Sequence, residues 1–211
     1  MSKKPAKKSK PAKKAAKKAA KPARKPAKAA KPAKNATKAA APARPAGNPL
    51  RDRALAIFKF AHKTTDKFSG GFSDAQMTAM PCATSNHVLW SLGHLAVSNA
   101  WFASMIDGAP VGVEESWDKM FGMNSKPVAD ASAYPSIADV RAMYQKTAER
   151  LEDAARARTD ADLLQPPTGE SGGFLTDRLD SVLKAAWHEG WHLGQIAECR
   201  KALGLPSAMS S

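Results

Sequence analysis

Two histidines four residues apart, in Trp187-His188-Glu189-Gly190-Trp191-His192-Leu193-Gly194-Gln195-Ile196, are the residues of this chain best spaced to do chemistry. On a helix, four residues advance the axis by about 6 Å and overshoot a full turn by about 40°, so both imidazoles share a face and reach one cation. Two nitrogens leave a site incomplete. A zinc-like ion that does chemistry takes about three protein ligands plus a water. His94, in Leu89-Trp90-Ser91-Leu92-Gly93-His94-Leu95, is the best third ligand, on a second apolar segment. The competing explanation is core histidines bonded to backbone or buried water. A pair at ligand spacing, with a third imidazole on another apolar helix, favours metal, because unpaired imidazoles are costly to bury.

The neighbours of these residues divide into helpers and bystanders. His87 lies two helical turns before His94, about 10 Å along the axis and too far to share the ion easily. It is expected either to face the pocket beside Trp90 and Gln195 or to serve the start of its helix. Gln195, three residues after His192, could orient a ligand or water. Gly93 and Gly194 would let neighbouring helices approach, while Trp187 and Trp191 would fill core or wall the pocket. Cys199 is expected as a buried thiol, and His62, among Lys63, Thr64, Thr65 and Asp66, as an exposed side chain. His188-Glu189-x-x-His192 also matches the zincin pattern, with Glu189 as general base. No ligand-bearing extension comes after it, so peptide hydrolysis is disfavoured.

Four segments must position these groups. The first opens at Asn48-Pro49 and carries Leu50, Ala54, Ile57, Phe58, Ala61 and Phe68 to Gly70. A second runs from near Ser85 to Gly108 and is apolar enough to lie deep. The third starts at Ser136 and passes through Leu151. The fourth runs from Thr176-Asp177 to Gly204, with Pro206 beyond. No segment alternates as a strand does. The link from Gly108 to Ser136, with Trp117 and Phe121, is too long for a hairpin and fits a crossover packed along a four-helix bundle. The expected fold class is all-α: a four-helix bundle with a long crossover over residues 48–206, preceded by a disordered tail over 1–47 and followed by a disordered end over 207–211.

The tail is a different kind of polymer. Through Leu50 the chain holds 17 of its 33 Lys and Arg and none of its 19 Asp and Glu, so the arm is +17 and the body −3. Its Lys-Ala-Pro repeats contain nothing to fill a core. Such an arm binds phosphate backbones by counterion release without reading sequence. The candidate contacts are Lys3, Lys4, Lys7, Lys8, Lys10, Lys13, Lys14, Lys17, Lys18, Lys21, Arg24 and Lys25. Compositionally it resembles linker-histone tails, which implies association with DNA; a solubilising tail that meets any polyanion is the weaker alternative. Bulky apolar residues at helical spacing are missing, which argues against a transit peptide. Apolar runs fall short of the roughly 20 residues that span a membrane, so a cytoplasmic protein without membrane partners is expected, nucleoid-associated through its arm. Two cysteines make a disulfide framework improbable.

Taken together, Asn86-His87-x-x-Trp90-x-x-Gly93-His94-Leu95, then His188-x-x-x-His192-x-Gly194-Gln195-Ile196 and Arg200-x-x-Leu203-Gly204, resemble the DinB superfamily over most of residues 50–206. The resemblance implies a four-helix bundle in which His94, His188 and His192 bind divalent zinc, nickel or iron. It also implies relatives that act as transferases or isomerases on small molecules using a low-molecular-weight thiol. The expected function is therefore a metal-dependent S-transferase or isomerase tethered to nucleic acid, and a homodimer is compatible with it. The alternative is a nucleoid-associated DNA-binding protein whose metal is structural.

Overall fold

Asn48 and Pro49 start the first helix as their types require, although the cap comes from elsewhere in the chain. The computed structural model describes residues 47–210. The basic arm and its candidate contacts from Lys3 to Arg24 and Lys25 lie outside the described residues. Helix α1 spans Pro49–Ser69. Its first amides, Leu50 and Arg51, donate to the Asp160 carboxylate at 3.1 and 3.0 Å, and Asn48 Oδ1 accepts from the Asp160 amide in return. Asp160 begins the short helix α6 (Asp160–Leu163), so two helix starts satisfy each other's orphan donors.

The remaining elements are α2 (Asp74–Met77), α3 (Val88–Asp107), α4 (Glu115–Phe121), α5 (Ile137–Arg156) and α7 (Arg178–Ala202). Helix α3 ends at Gly108, whose φ of 74° is the left-handed conformation that glycine adopts without a Cβ clash. Ser136 caps α5 and Asp177 caps α7, each accepting a backbone N–H three residues on, which stabilises a helix start by about 1 kcal/mol. Among the described residues there is no strand, and no helix is long and apolar enough to cross a membrane.

Helices α1, α3, α5 and α7 form the bundle. Helix α7 packs between α1 and α3, and α5 packs against α3 and α1 on the opposite side. Helix α3 is buried on nearly every face, as its continuous apolar sequence requires. Two apolar clusters fill the interior. One gathers Phe58, Phe102, Ile106, Leu151 and Val182; the other gathers Leu89, Leu92, Leu95, Phe121, Val140 and Ile196. Each fully buried large side chain contributes about 1.5–3 kcal/mol. Along the helices, a layer containing His62, Asn99 and Glu189 lies between the two clusters.

The crossover carries α4 and a 3-10 turn at Ala131–Ala133, with Trp117 and Phe121 buried against α3. At the other end, residues 207–211, expected to be disordered, include a 3-10 turn at Ala208–Ser210. Its Ala208 side chain is buried, which gives that turn an apolar anchor.

Candidate metal centre

The i, i+4 spacing on α7 and the burial of α3 bring three imidazoles to one point. His188 Nε2 lies 3.2 Å from His94 Nε2 and 3.1 Å from His192 Nε2, and the three residues form the metal-capable group among the described residues. His94 and His192 are buried, while His188 is half-buried and forms the solvent side of the trio. The tautomer of His94 is set by its partner. Its Nδ1–H donates to the Phe121 carbonyl at 2.6 Å, which leaves Nε2 as a bare lone pair aimed at the other two rings. Lone pairs packed this closely repel unless a cation or proton sits among them. A tetrahedral ion with bonds of about 2.0–2.1 Å separates its ligands by about 3.3 Å, so the donor set fits a zinc-like metal.

Electrostatics also disfavour an imidazolium among the three rings. Burial pushes His94 below its ordinary value despite the bond to Phe121. Burial, then the neighbouring His94, takes His188 down to about 4; burial, then His188 and His94, takes His192 down to about 2. Neutral imidazole is the form that ligates. Trp90 stiffens the arrangement by stacking on His94 with centroids 4.7 Å apart and planes at 8°, while its indole N–H donates to Met120 O and Ser125 Oγ. Gly93 has a specific packing reason: a Cβ there would overlap the Phe121 ring, so the crossover could not lay its carbonyl beside His94.

Other expected positions fall differently. His87 does not join the trio. It caps α3, its Nδ1 accepting from the Trp90 amide at 3.0 Å and its Nε2–H donating to Val128 O at 3.0 Å. Gln195 accepts from Asn86 Nδ2 at 3.1 Å and lines a cavity next to α7, while Gly194, with open space where a Cβ would go, mediates no close helix approach. Trp187 and Trp191 fill no core: they are 53% and 58% exposed and meet each other edge-on, with Trp187 stacked on the His188 ring. Cys199 is a buried thiol, as expected.

The largest departure concerns His62 and Glu189. His62, expected in solvent, is only 7% exposed, and Glu189 is fully buried. Glu189 Oε1 faces His62 Nδ1 at 3.3 Å and accepts from Asn99 Nδ2 at 3.2 Å; its Oε2 accepts from the Tyr144 hydroxyl at 2.7 Å. Both carboxylate oxygens are engaged by α1, α3 and α5, so Glu189 is not placed as the zincin general base. The charged residues around His62 hid its burial. One signal was available, since His62 falls four residues after buried Phe58 on the same face of α1.

Comparison with known proteins agrees with this geometry. No curated protein matches the chain. The family model of the DinB superfamily matches residues 57–196, a span that holds all three histidines. With that match over most of its length, and with its helical body and histidine cluster, the chain belongs to the DinB superfamily.

Proposed function

We propose that the body is a metal-dependent enzyme of the thiol-dependent transferase or isomerase kind, and that the basic arm holds it near DNA or another polyanion. One observation carries this reading: His94, His188 and His192 supply three inward nitrogens and no fourth protein ligand joins them among the described residues. Structural zinc sites are closed by four protein ligands, whereas catalytic sites keep a position for water or substrate. Three neutral imidazoles leave the ion its full positive charge. When bound, zinc, nickel or iron would supply Lewis-acid activation, lowering the pKa of a thiol or water so that its anion exists near neutral pH.

The chain's own residues do the rest. Phe121 O holds His94 in its ligating tautomer, Trp90 fixes that ring's plane, and half-buried His188 marks the side from which a small molecule enters. Exposed Trp187 and Trp191 border that side and offer flat apolar surface to a substrate.

Metal analysis of the full-length protein purified without added metal should find a divalent ion, and His94→Ala should lose it. In cobalt-substituted protein, a small thiol should change the ligand-field absorption; a spectrum unmoved by thiol would favour a structural ion instead. The arm is tested separately. Removing residues 1–47 should abolish most DNA affinity while metal content persists, and binding by the full chain should weaken with salt with a log–log slope of about −0.9 per neutralised phosphate. His94→Ala should leave that DNA affinity unchanged.

A further inference from the structure

The two thiols of the chain take no part in the metal centre, yet both face one cavity. The loop joining α2 to α3 and the C-terminal half of α7 enclose about 520 Å³, with Cys82 on the loop wall and Cys199 on the helix wall. Gln195 and Trp191 line the same space, which places it beside the histidine-bearing turn of α7. The Cys199 Sγ–H donates to Asn86 O at 3.4 Å, so the buried sulfur is held against the loop four residues beyond Cys82. Cys82 itself is exposed, its Sγ 3.6 Å from Thr84 Oγ1 and its amide donating to Ser85 Oγ at 3.3 Å. Residues 79–87 contain no helix, so this loop can adjust to the Cα separation of about 5.5–6 Å that a disulfide prefers.

We propose that Cys82 and Cys199 form a dithiol that hydroperoxides oxidise to an internal disulfide, stapling the loop to α7 across the cavity beside the metal centre. The two sulfurs have distinct roles. Hydrogen bonds from Thr84, then Ser85, lower the Cys82 pKa, whereas burial, then the neighbouring Cys82, raises that of Cys199. Cys82, the sulfur that solvent peroxide can reach while Cys199 is buried, is therefore the attacking one. It cleaves the peroxide O–O bond, taking one oxygen as sulfenic acid and releasing the other as hydroxide or alkoxide, which is protonated to water or alcohol. Cys199 then loses its proton and attacks Cys82 Sγ, displacing the sulfenic oxygen as water. Two S–H bonds give one S–S bond, and the peroxide accepts both electrons. Because Asn86 in the same loop bonds Gln195, the staple would also fix the wall of the cavity nearest His192.

The test treats full-length protein with hydrogen peroxide, then counts maleimide-reactive thiols after denaturation and maps peptides without reduction. Wild type should lose both thiols while remaining monomeric on non-reducing electrophoresis, yield a peptide joining Cys82 to Cys199, and recover both thiols with dithiothreitol. Cys199→Ala should instead accumulate a Cys82 sulfenic acid that dimedone traps, and Cys82→Ser should keep Cys199 reduced. Survival of both thiols in wild type, or Cys82 pairing only with Cys82 of a second molecule, would overturn the proposal. The wild-type peptide map decides the matter even where a cysteine variant folds poorly.

Discussion

His188 and Glu189 are neighbours in sequence, yet they face environments that treat histidine in opposite ways. Around His188 the partners are other imidazoles and an apolar wall, and burial drives the rings neutral. Around Glu189 the partner is a carboxylate, and His62 is held above its ordinary value: burial alone would lower it, but the bond and charge of Glu189, with help from Gln145, prevail. The His62 ring agrees geometrically, because Nδ1 faces Glu189 Oε1 and Nε2 faces Gln145 Oε1 at 3.0 Å. With both facing oxygens accepting, the arrangement suits the doubly protonated ring. The difference shows that burial by itself does not set a histidine's charge. What its nitrogens face decides whether the ring becomes a ligand or a cation.

The sharpest way to break this comparison is to remove each centre in turn. Glu189→Ala takes away the acceptor that His62, Asn99 and Tyr144 share, and leaving three buried polar groups unpaired should cost about 3–5 kcal/mol in urea unfolding, while metal content per folded molecule persists. His94→Ala should do the reverse, losing the metal while unfolding measured in chelator changes far less. A Glu189→Ala variant destabilised by less than about 1 kcal/mol would mean that His62, Asn99 and Tyr144 find other partners or water. Next in size is Gly93→Ala. Its methyl must displace the Phe121 ring, at about 1–3 kcal/mol, and should weaken metal binding as well by moving the carbonyl that holds His94.

Acidity sharpens the contrast through its sign. With its folded pKa raised above 6.5, His62 contributes stability that is fully present below pH 6.5 and lost as pH rises through the folded value. The advantage of wild type over His62→Gln in urea unfolding should therefore shrink from pH 6 to pH 8. Metal-free His188, lowered to about 4, acts oppositely: it costs stability as pH falls from 6.5 toward 4, and bound metal should offset that loss. The smallest effect should come from Trp187→Ala. That side chain is half exposed, so the change in stability should stay within about 0.5 kcal/mol, leaving any lost turnover attributable to substrate contact.

Helix starts and stops were legible because they depend on neighbours along the chain. Asn48-Pro49, Ser136, Asp177 and Gly108 each mark an end that the structure contains. The pairing of His188 with His192 was legible for the same reason, since a four-residue step closes one turn wherever the helix lies. His87 shows the limit: its type and spacing suited a pocket or a cap equally, and it took the distant Val128 carbonyl and Tyr134 hydroxyl of the crossover to give its second nitrogen partners. Ile57 and Leu183 fit the apolar pattern of their helices, yet lie 48% and 39% exposed. An apolar stripe wider than the contact it serves leaves its edges in solvent.

By itself, then, the sequence determined the features that depend on short separation: the four long helices, the local caps of α5 and α7, two imidazoles on one face, and a charge imbalance confined to the first 50 residues. Tertiary packing decided which side of α7 meets α3 and which side meets α1 and α5, and so which histidines are pushed toward the neutral form and which is held toward the charged one. It also moved Glu189 from a candidate base to a buried anchor and turned Trp187 and Trp191 outward. The physical reason is that local periodicity sets a helix's faces, but only the neighbouring helices supply the carbonyl, carboxylate or ring that each face meets.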